Sequence, residues 1–347
     1  MDNILFLAHT EADGTLNKAA LEALSSAIEL KQAINGALDV ALYGAQVQPA
    51  ADSIAACAAT RFLAVCGESF ADARFATDAM ACEALVRASG ATIVIAAATS
   101  RNARVMAAVA HRVGGCLDTH VTGVVASSGA PTVTRWFYRQ RIEGSLTRTQ
   151  RPWILLLDPG SHPAWQGEPG VVTPELIDVP LSDTLLRTKV QGVVTPPADQ
   201  QTIRADADLL FVAGAGWTKK QKDGQTHVPE AETIIVDFLR HSKASLGGSK
   251  SLVDLSGENQ SALRFMTHLN QVGQTGSSPR HPKGLAACCH GEEPHTVGWR
   301  FIGERRAINL DPNCGWARGK ADVLYVADAF EVMSKVNAML NADHVAL

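Results

Sequence analysis

Four short runs near the start of the chain, Ile4–Ala8, Leu38–Tyr43, Phe62–Val65 and Thr92–Ala96, are apolar at almost every position, odd and even alike. Successive side chains of a strand point to opposite faces, so such runs must be covered on both sides. A parallel sheet with helices on each face provides that cover. The intervening stretches read as those helices: Leu21, Leu24 and Ile28 recur at helical spacing, and Asn35-Gly36 is a suitable stop. Met80–Arg87 and Asn102–Arg112 predict two more. The fold class expected is α/β.

After Gly115 the texture changes. Val121–Ala126, Val133–Tyr138, Trp153–Leu157 and Leu176–Pro180 follow one another with no helix between them, which predicts antiparallel strands extending the first sheet. The segment between them carries Arg135, Arg139, Arg141, Arg148 and Arg151. It reads as a solvated hairpin edge that blocks strand pairing, with docking of an acidic partner as the alternative.

At 347 residues the chain is comfortable for two cores. Periodicity lapses around Val193-Val194-Thr195-Pro196-Pro197-Ala198-Asp199, which suits a connection between domains. The division expected is 1–190, a linker over 191–204, and a second domain over 205–347. That second domain opens on the strand Leu209–Ala213, followed by Gly214-Ala215-Gly216 and an apolar helix face of Ala231, Ile234, Ile235, Phe238 and Leu239. Leu285–Cys288, Ala307–Asn309 and Val323–Val326 are further strands, and Ala329–Leu340 a final helix. Ligands of such sheets sit outside the carboxyl ends of the strands. The unusual sequences fall there: Gly214-Ala215-Gly216, Gly247-Gly248-Ser249-Lys250, Cys289 to His295, Asn309 and Asp328.

Gln271-Val272-Gly273-Gln274-Thr275-Gly276 and the later Cys288-Cys289-His290-Gly291 with His295 supply glycine turns, a hydroxyl and an imidazole. These groups suit a phosphorylated ring cofactor, a flavin nucleotide. The same residues, in this order, resemble the α subunit of the electron transfer flavoproteins. Gln271–Gly276 match that family's QVGQTG element letter for letter. Leu246–Asp254 stand where it has a VGASRPAVD-like stretch, Leu285–His295 align with its segment ending GISGAIQH, and Ala307-Ile308-Asn309 match its AIN. The likeness is carried mainly by the C-terminal third, with Asn3-Ile4-Leu5, Leu16-Asn17 and Arg101–Thr122 as looser counterparts.

The resemblance implies a carrier that takes electrons from a dehydrogenase onto FAD and passes them on, without a substrate of its own. It implies a β-type partner subunit contacting the first domain, and a second domain that is Rossmann-like, doubly wound and FAD-binding. Thr275 would lie near flavin N5, His295 near the pyrimidine-edge carbonyl, and Asp328 near the adenosine. Ser249 and Asn309 would be polar contacts. Gly214, Gly216, Lys250, Gln271, Gly273, Gln274, Gly276, His290 and Gly291 complete the expected cofactor set.

The chain departs from that family in places. Lys250 replaces an arginine, keeping charge but losing the flat guanidinium. Ala215 removes a cation, Pro294 has no amide to give, and an insertion with Leu263, Phe265, Met266 and Leu269, expected to be helical, lies between Asp254 and Gln271. These departures open a second expectation: a flavin-free structural subunit of a redox complex.

Other constellations favour ordinary roles. Cys288, Cys289, His290 and Cys314 are poorly spaced for a cluster, because neighbouring strand side chains diverge, so buried small residues are expected. Cys116 with His111 and His120 reads as structural. His281 and Lys283 read as phosphate or surface contacts. A formal charge of -4 gives no footprint for nucleic acid. No triad, Walker loop or paired-carboxylate element supports hydrolysis. The first apolar run is too short and too acidic in its flanks for a signal peptide, and seven irregularly spaced cysteines argue against a disulfide framework. The compartment expected is the cytoplasm.

Overall fold

Ile4, Phe6 and Ala8 pack on one face of a sheet while Leu5 and Leu7 pack on the other, and all five are buried. The computed structural model describes the chain outside residues 1, 128, 139–141, 193–202, 205, 256–262, 274–278, 290–298 and 346–347, and outside the side chains of 127, 315–316 and 343–345. Its contacts divide it into two units, Met1–Val193 and Val194–Leu347. Most of the expected linker lies outside the described residues.

The first unit holds β1 (Asn3–His9), β2 (Ala37–Gly44), β3 (Arg61–Cys66), β4 (Ile93–Ala97), β5 (Cys116–Ser127), β6 (Ala130–Phe137), β7 (Ile142–Leu146), β8 (Trp153–Leu157) and β9 (Glu175–Leu176). They form one sheet in the order β7-β6-β5-β8-β4-β1-β2-β3-β9. Helix α1 (Lys18–Ile34) begins where the Asn17 side chain accepts the Ala20 N–H and ends on Asn35 in the left-handed region, as the sequence predicts. It covers one face with Ala20, Ala23, Leu24, Ala27 and Leu30. The short α2 (Gln48–Ser53) adds to the same face. α3 (Phe75–Ser89) and α4 (Ser100–Arg112) cover the other with Leu85, Met106 and Val109. Each buried leucine or isoleucine contributes roughly 1.5–3 kcal/mol.

Not all of the later strands are antiparallel. β5, β6 and β7 form an antiparallel meander, but β8 inserts parallel between β4 and β5, and β9 adds parallel to β3 at the opposite edge. The reason is legible in the residues. Trp153-Ile154-Leu155-Leu156-Leu157 is buried throughout, which marks an interior parallel strand, whereas β7 alternates and sits at an edge. The meander is fastened by Asp118, fully buried, which accepts hydrogen bonds from Arg135 Nη1 at 2.7 Å, Trp153 Nε1 at 2.8 Å and Arg148 Nη2 at 2.8 Å. Arg151 pairs with Asp2 at 2.8 Å. Three of the five arginines therefore serve the fold, while Arg139 and Arg141 lie outside the described residues. A four-residue helix, α5 (Asp183–Leu186), follows β9.

The second unit is a five-stranded, wholly parallel sheet in the order β11-β10-β12-β13-β14. Its strands are β10 (Leu209–Ala213), β11 (Ser245–Gly248), β12 (His281–Ala287), β13 (Ile302–Asn309) and β14 (Val323–Val326). α6 (Val228–Ser242) and the C-terminal helix Ala329–Val345 cover one face around Phe211, Trp217 and Met333. Trp299 and the helix Gly315–Lys320 cover the other. The expected α/β class thus holds for both units. β11 is a fully buried strand built partly of glycine. A Cβ on Gly247 would meet Val272 at 2.7 Å, and one on Gly248 would meet Met266 at 2.7 Å, so the two glycines make room for the incoming Met266–Gly273 segment. The insertion between Asp254 and Gln271 is expected from the sequence to be helical. Among its described residues it forms only the turn His268–Asn270, with Leu263, Phe265 and Met266 buried and Leu269 exposed.

Candidate functional site

In the second unit the chain passes from β10 to β11 on one side and then to β12 on the other. Loops diverge where the order reverses, leaving a crevice outside the carboxyl ends of the strands. The turn after β10, Gly214-Ala215-Gly216-Trp217-Thr218, folds back onto β12: Gly214 N–H donates to the Ala287 carbonyl at 2.9 Å and Gly216 N–H to the Cys288 carbonyl at 3.0 Å. A Cβ on Gly214 would stand 2.2 Å from that Cys288 oxygen, so glycine is required there for close approach. Cys288 itself adopts φ 58°, a left-handed conformation unusual for a residue with a Cβ. Burial, with the Asp328 carboxylate adding to it, pushes its thiol up to about 12.

The ends of β13 and β14 complete the wall. Asn309 donates to the Cys289 carbonyl at 2.5 Å and accepts from the Asp311 N–H at 3.0 Å. Asp328 accepts the N–H of Phe330 at 3.0 Å at the start of the C-terminal helix and pairs with Lys222 at 3.5 Å. Between them is a hollow of about 160 Å³ lined by Gly216, Lys219, Lys220, Cys288, Asn309 and Asp328, among others. A second hollow of about 240 Å³ shares Gln221, Asp328 and Phe330 with it and adds His227, whose hydrogen bond to Asp223 at 2.7 Å raises its pKa, with Glu230 helping. Together they reach the lower part of the roughly 300–1,000 Å³ range of small-ligand sites. The crevice is walled by glycine and carries both cations and carboxylates along its lining.

The structure thus brings Gly216, Asn309 and Asp328 to one hollow, with Gly214 shaping its wall. Ser249, Lys250, Gln271 and Gly273 gather instead at the end of β11. Ser249 is fully buried and caps α7 (Lys250–Asp254) by accepting the Leu252 N–H at 3.2 Å. Lys250 pairs with Asp254 one turn on. Gln271 is buried and donates to the Gly273 carbonyl at 3.2 Å, and Val272 N–H donates to the Gly248 carbonyl at 2.9 Å, adding to the edge of β11. Gln274, Thr275, Gly276, His290, Gly291, Pro294 and His295 lie outside the described residues.

One expectation is corrected in part. His281 and Lys283 are at the opposite, amino end of β12, away from the hollow; His281 is buried and donates to the Arg204 carbonyl at 2.8 Å, while Lys283 is exposed at the surface. Cys289 and Cys314 are buried, as the sequence predicts, in an apolar cluster with Leu210, Val212 and Ala317. Lys219, Lys220, Gln221 and Phe330 were not anticipated as lining residues. The signal available was the Lys219-Lys220 pair immediately after the glycine turn.

The carboxyl end of the first sheet is occupied by its own side chains. His9 Nε2 and Thr99 Oγ1 lie 3.1 Å apart, and Arg101 grips Asp78 at 2.9 and 2.7 Å while donating to the Phe70 carbonyl at 2.7 Å. Burial, followed by the Arg101 charge, lowers the His9 pKa.

These features define a two-unit α/β protein with a pair of hollows at the strand ends of its second sheet. The model of the electron transfer flavoprotein domain matches residues 4–184, more than half of the chain, and the chain belongs to the electron transfer flavoprotein family. The match falls on the first unit, where the sequence likeness is looser, and not on the C-terminal third. No curated protein matches the sequence. Among the described residues no helix is long and apolar enough to cross a membrane.

Proposed function

We propose that this chain is the α-type subunit of an electron transfer flavoprotein, carrying FAD in the strand-end crevice of its second unit. It works with a β-type subunit, takes electrons from a dehydrogenase and delivers them to a downstream acceptor, in the cytoplasm. The observation that carries this reading is the convergence of Gly216, Asn309 and Asp328 on one hollow beside the order reversal of a doubly wound sheet, in a chain of this family.

When bound, the flavin supplies reversible uptake and release of electrons. The chain's own residues hold and tune it. Gly214 and Gly216 bring the backbone close enough for the crevice to be narrow. Asn309 fixes the floor through Cys289, and Asp328 offers a carboxylate beside the adenosine position. Lys250 supplies a positive charge at the β11 end. Thr275 and His295 are assigned to the ring by resemblance, Thr275 as a hydroxyl beside N5 and His295 as a donor stabilising negative charge on the reduced form.

Co-purifying the chain with the product of its genomic neighbour and recording the visible spectrum tests the reading. A yellow complex that releases FAD on denaturation supports it. A colourless complex that takes up no FAD would establish the flavin-free subunit instead.

A further inference from the structure

We infer that Lys219 and Lys220 are a diphosphate-binding pair: they take the phosphate-bearing link of the dinucleotide in the hollow between β12, β13 and β14. The inference rests on the reading of that hollow as a cofactor site and names residues that the sequence likeness does not assign.

Four observations support it. Both lysines line the 160 Å³ hollow together with Gly216, Asn309 and Asp328. Both are exposed, and among the described residues neither has a carboxylate within ion-pair distance, whereas Lys222 is matched to Asp328 at 3.5 Å and Lys250 to Asp254. The Asp328 carboxylate in the wall has its own cation, Lys222 at 3.5 Å, and also accepts the Phe330 N–H at 3.0 Å. The backbone that presents them is braced: Lys219 N–H donates to the Gly216 carbonyl at 3.3 Å, Gln221 Nε2 donates to the carbonyls of Lys219 at 2.7 Å and Gly216 at 3.1 Å, and Lys220 bridges Thr226 as in a short hairpin.

Both lysines reach the same hollow, so a polyanion placed there gains charge-assisted hydrogen bonds from each. Lysine suits this task as a mobile point charge needing no bidentate geometry. Bracing lowers the ordering cost of binding because only the side-chain stems remain to be fixed.

The test is calorimetric titration of the full-length chain with ADP and with FAD, each at low and high salt. The proteins compared are wild type, the double variant K219Q/K220Q, and K335Q, which removes one positive charge from the exposed face of the C-terminal helix. The two target lysines are exposed, so circular dichroism of the double variant should match wild type. The account expects ADP to bind wild type and K335Q alike, and the double variant at least about tenfold more weakly, with a shallower salt dependence. Equal ADP binding by wild type and double variant overturns the pair's role, as does ADP failing to bind wild type. FAD binding unchanged in the double variant would remove the pair while leaving the cofactor reading intact. Lysine-dependent ADP binding without any uptake of FAD would leave the anion subsite and remove the cofactor reading.

Discussion

The side-chain amide of Asn309 reaches across from the end of β13 to the Cys289 carbonyl at 2.5 Å, while its oxygen holds the Asp311 N–H at 3.0 Å. One side chain therefore joins two neighbouring strand ends and shapes the loop beyond. Asn309→Ala leaves the buried Cys289 carbonyl without this donor and the Asp311 N–H without its acceptor. It is expected to cost about 1–3 kcal/mol, read as a lower urea midpoint for the unfolding of the second unit. It should also weaken FAD binding. An unchanged midpoint would show that the tie is dispensable.

Asp118 is the counterpart in the first unit, where Arg135, Arg148 and Trp153 converge on one fully buried carboxylate. Asp118→Ala leaves the buried Trp153 N–H and the part-exposed Arg135 and Arg148 guanidiniums without their acceptor and is expected to cost about 1–3 kcal/mol. Burial alone would raise the Asp118 pKa, but the hydrogen bonds from Arg148, Trp153 and Arg135 outweigh it and hold the folded value below 3.8. The folded pKa is depressed, so this stabilisation is complete above the unfolded value of about 3.9 and is lost as pH falls through the folded one. Wild-type stability should drop below about pH 4 with a slope that Asp118→Asn reduces. Identical acid-unfolding curves for the two proteins would contradict this.

How far the sequence foretells this structure depends on the kind of signal. β1 and β10 are apolar at consecutive positions, and burial on both faces leaves them no alternative to a parallel sheet. β8 carries the same signature, yet its neighbours in sequence alternate, and strand order is a property of the whole sheet that no local pattern records. β11 escapes propensity rules because Gly247 and Gly248 are strand residues for a tertiary reason, the approach of Val272 and Met266. At the site, Asn309 and Asp328 were legible as polar residues at strand ends. Lys219 and Lys220 were not, since a lysine pair ordinarily reads as solvated surface. Ser249 was legible as polar but not as the α7 cap, which occupies its hydroxyl with the Leu252 N–H.

Cys288 offers a test of backbone strain. Its φ of 58° is a region that disfavours a Cβ by roughly 1–2 kcal/mol. Cys288→Gly should relieve that cost, offset in part by about 0.5–1 kcal/mol of extra unfolded-state freedom, for a net stabilisation of up to about 1 kcal/mol. The thiol, pushed up to about 12, is almost wholly protonated at pH 8, so iodoacetamide should modify the exposed Cys66 well before Cys288. Mass spectrometry of the alkylated peptides checks the order. Faster labelling at Cys288 would refute the assigned environment.

Lys250 is expected to stabilise the reduced, more negative flavin. A unit charge worth about 1 kcal/mol shifts a two-electron potential by about 20 mV, so Lys250→Met should lower the potential by that order. Asp254, now paired with Lys250, dampens the effect, and Asp254→Asn should raise the potential. Spectroelectrochemical titration measures both. Equal potentials in the three proteins would remove Lys250 from the tuning of the cofactor.

Hydrogen–deuterium exchange of the full-length chain with and without FAD tests the location of the cofactor most directly. The account predicts slowed exchange in peptides covering 214–221, 309–311 and 327–330 of the second unit, with Met1–Val193 little changed. Protection confined to the first unit, or none at the strand ends of the second sheet at saturating FAD, would contradict it.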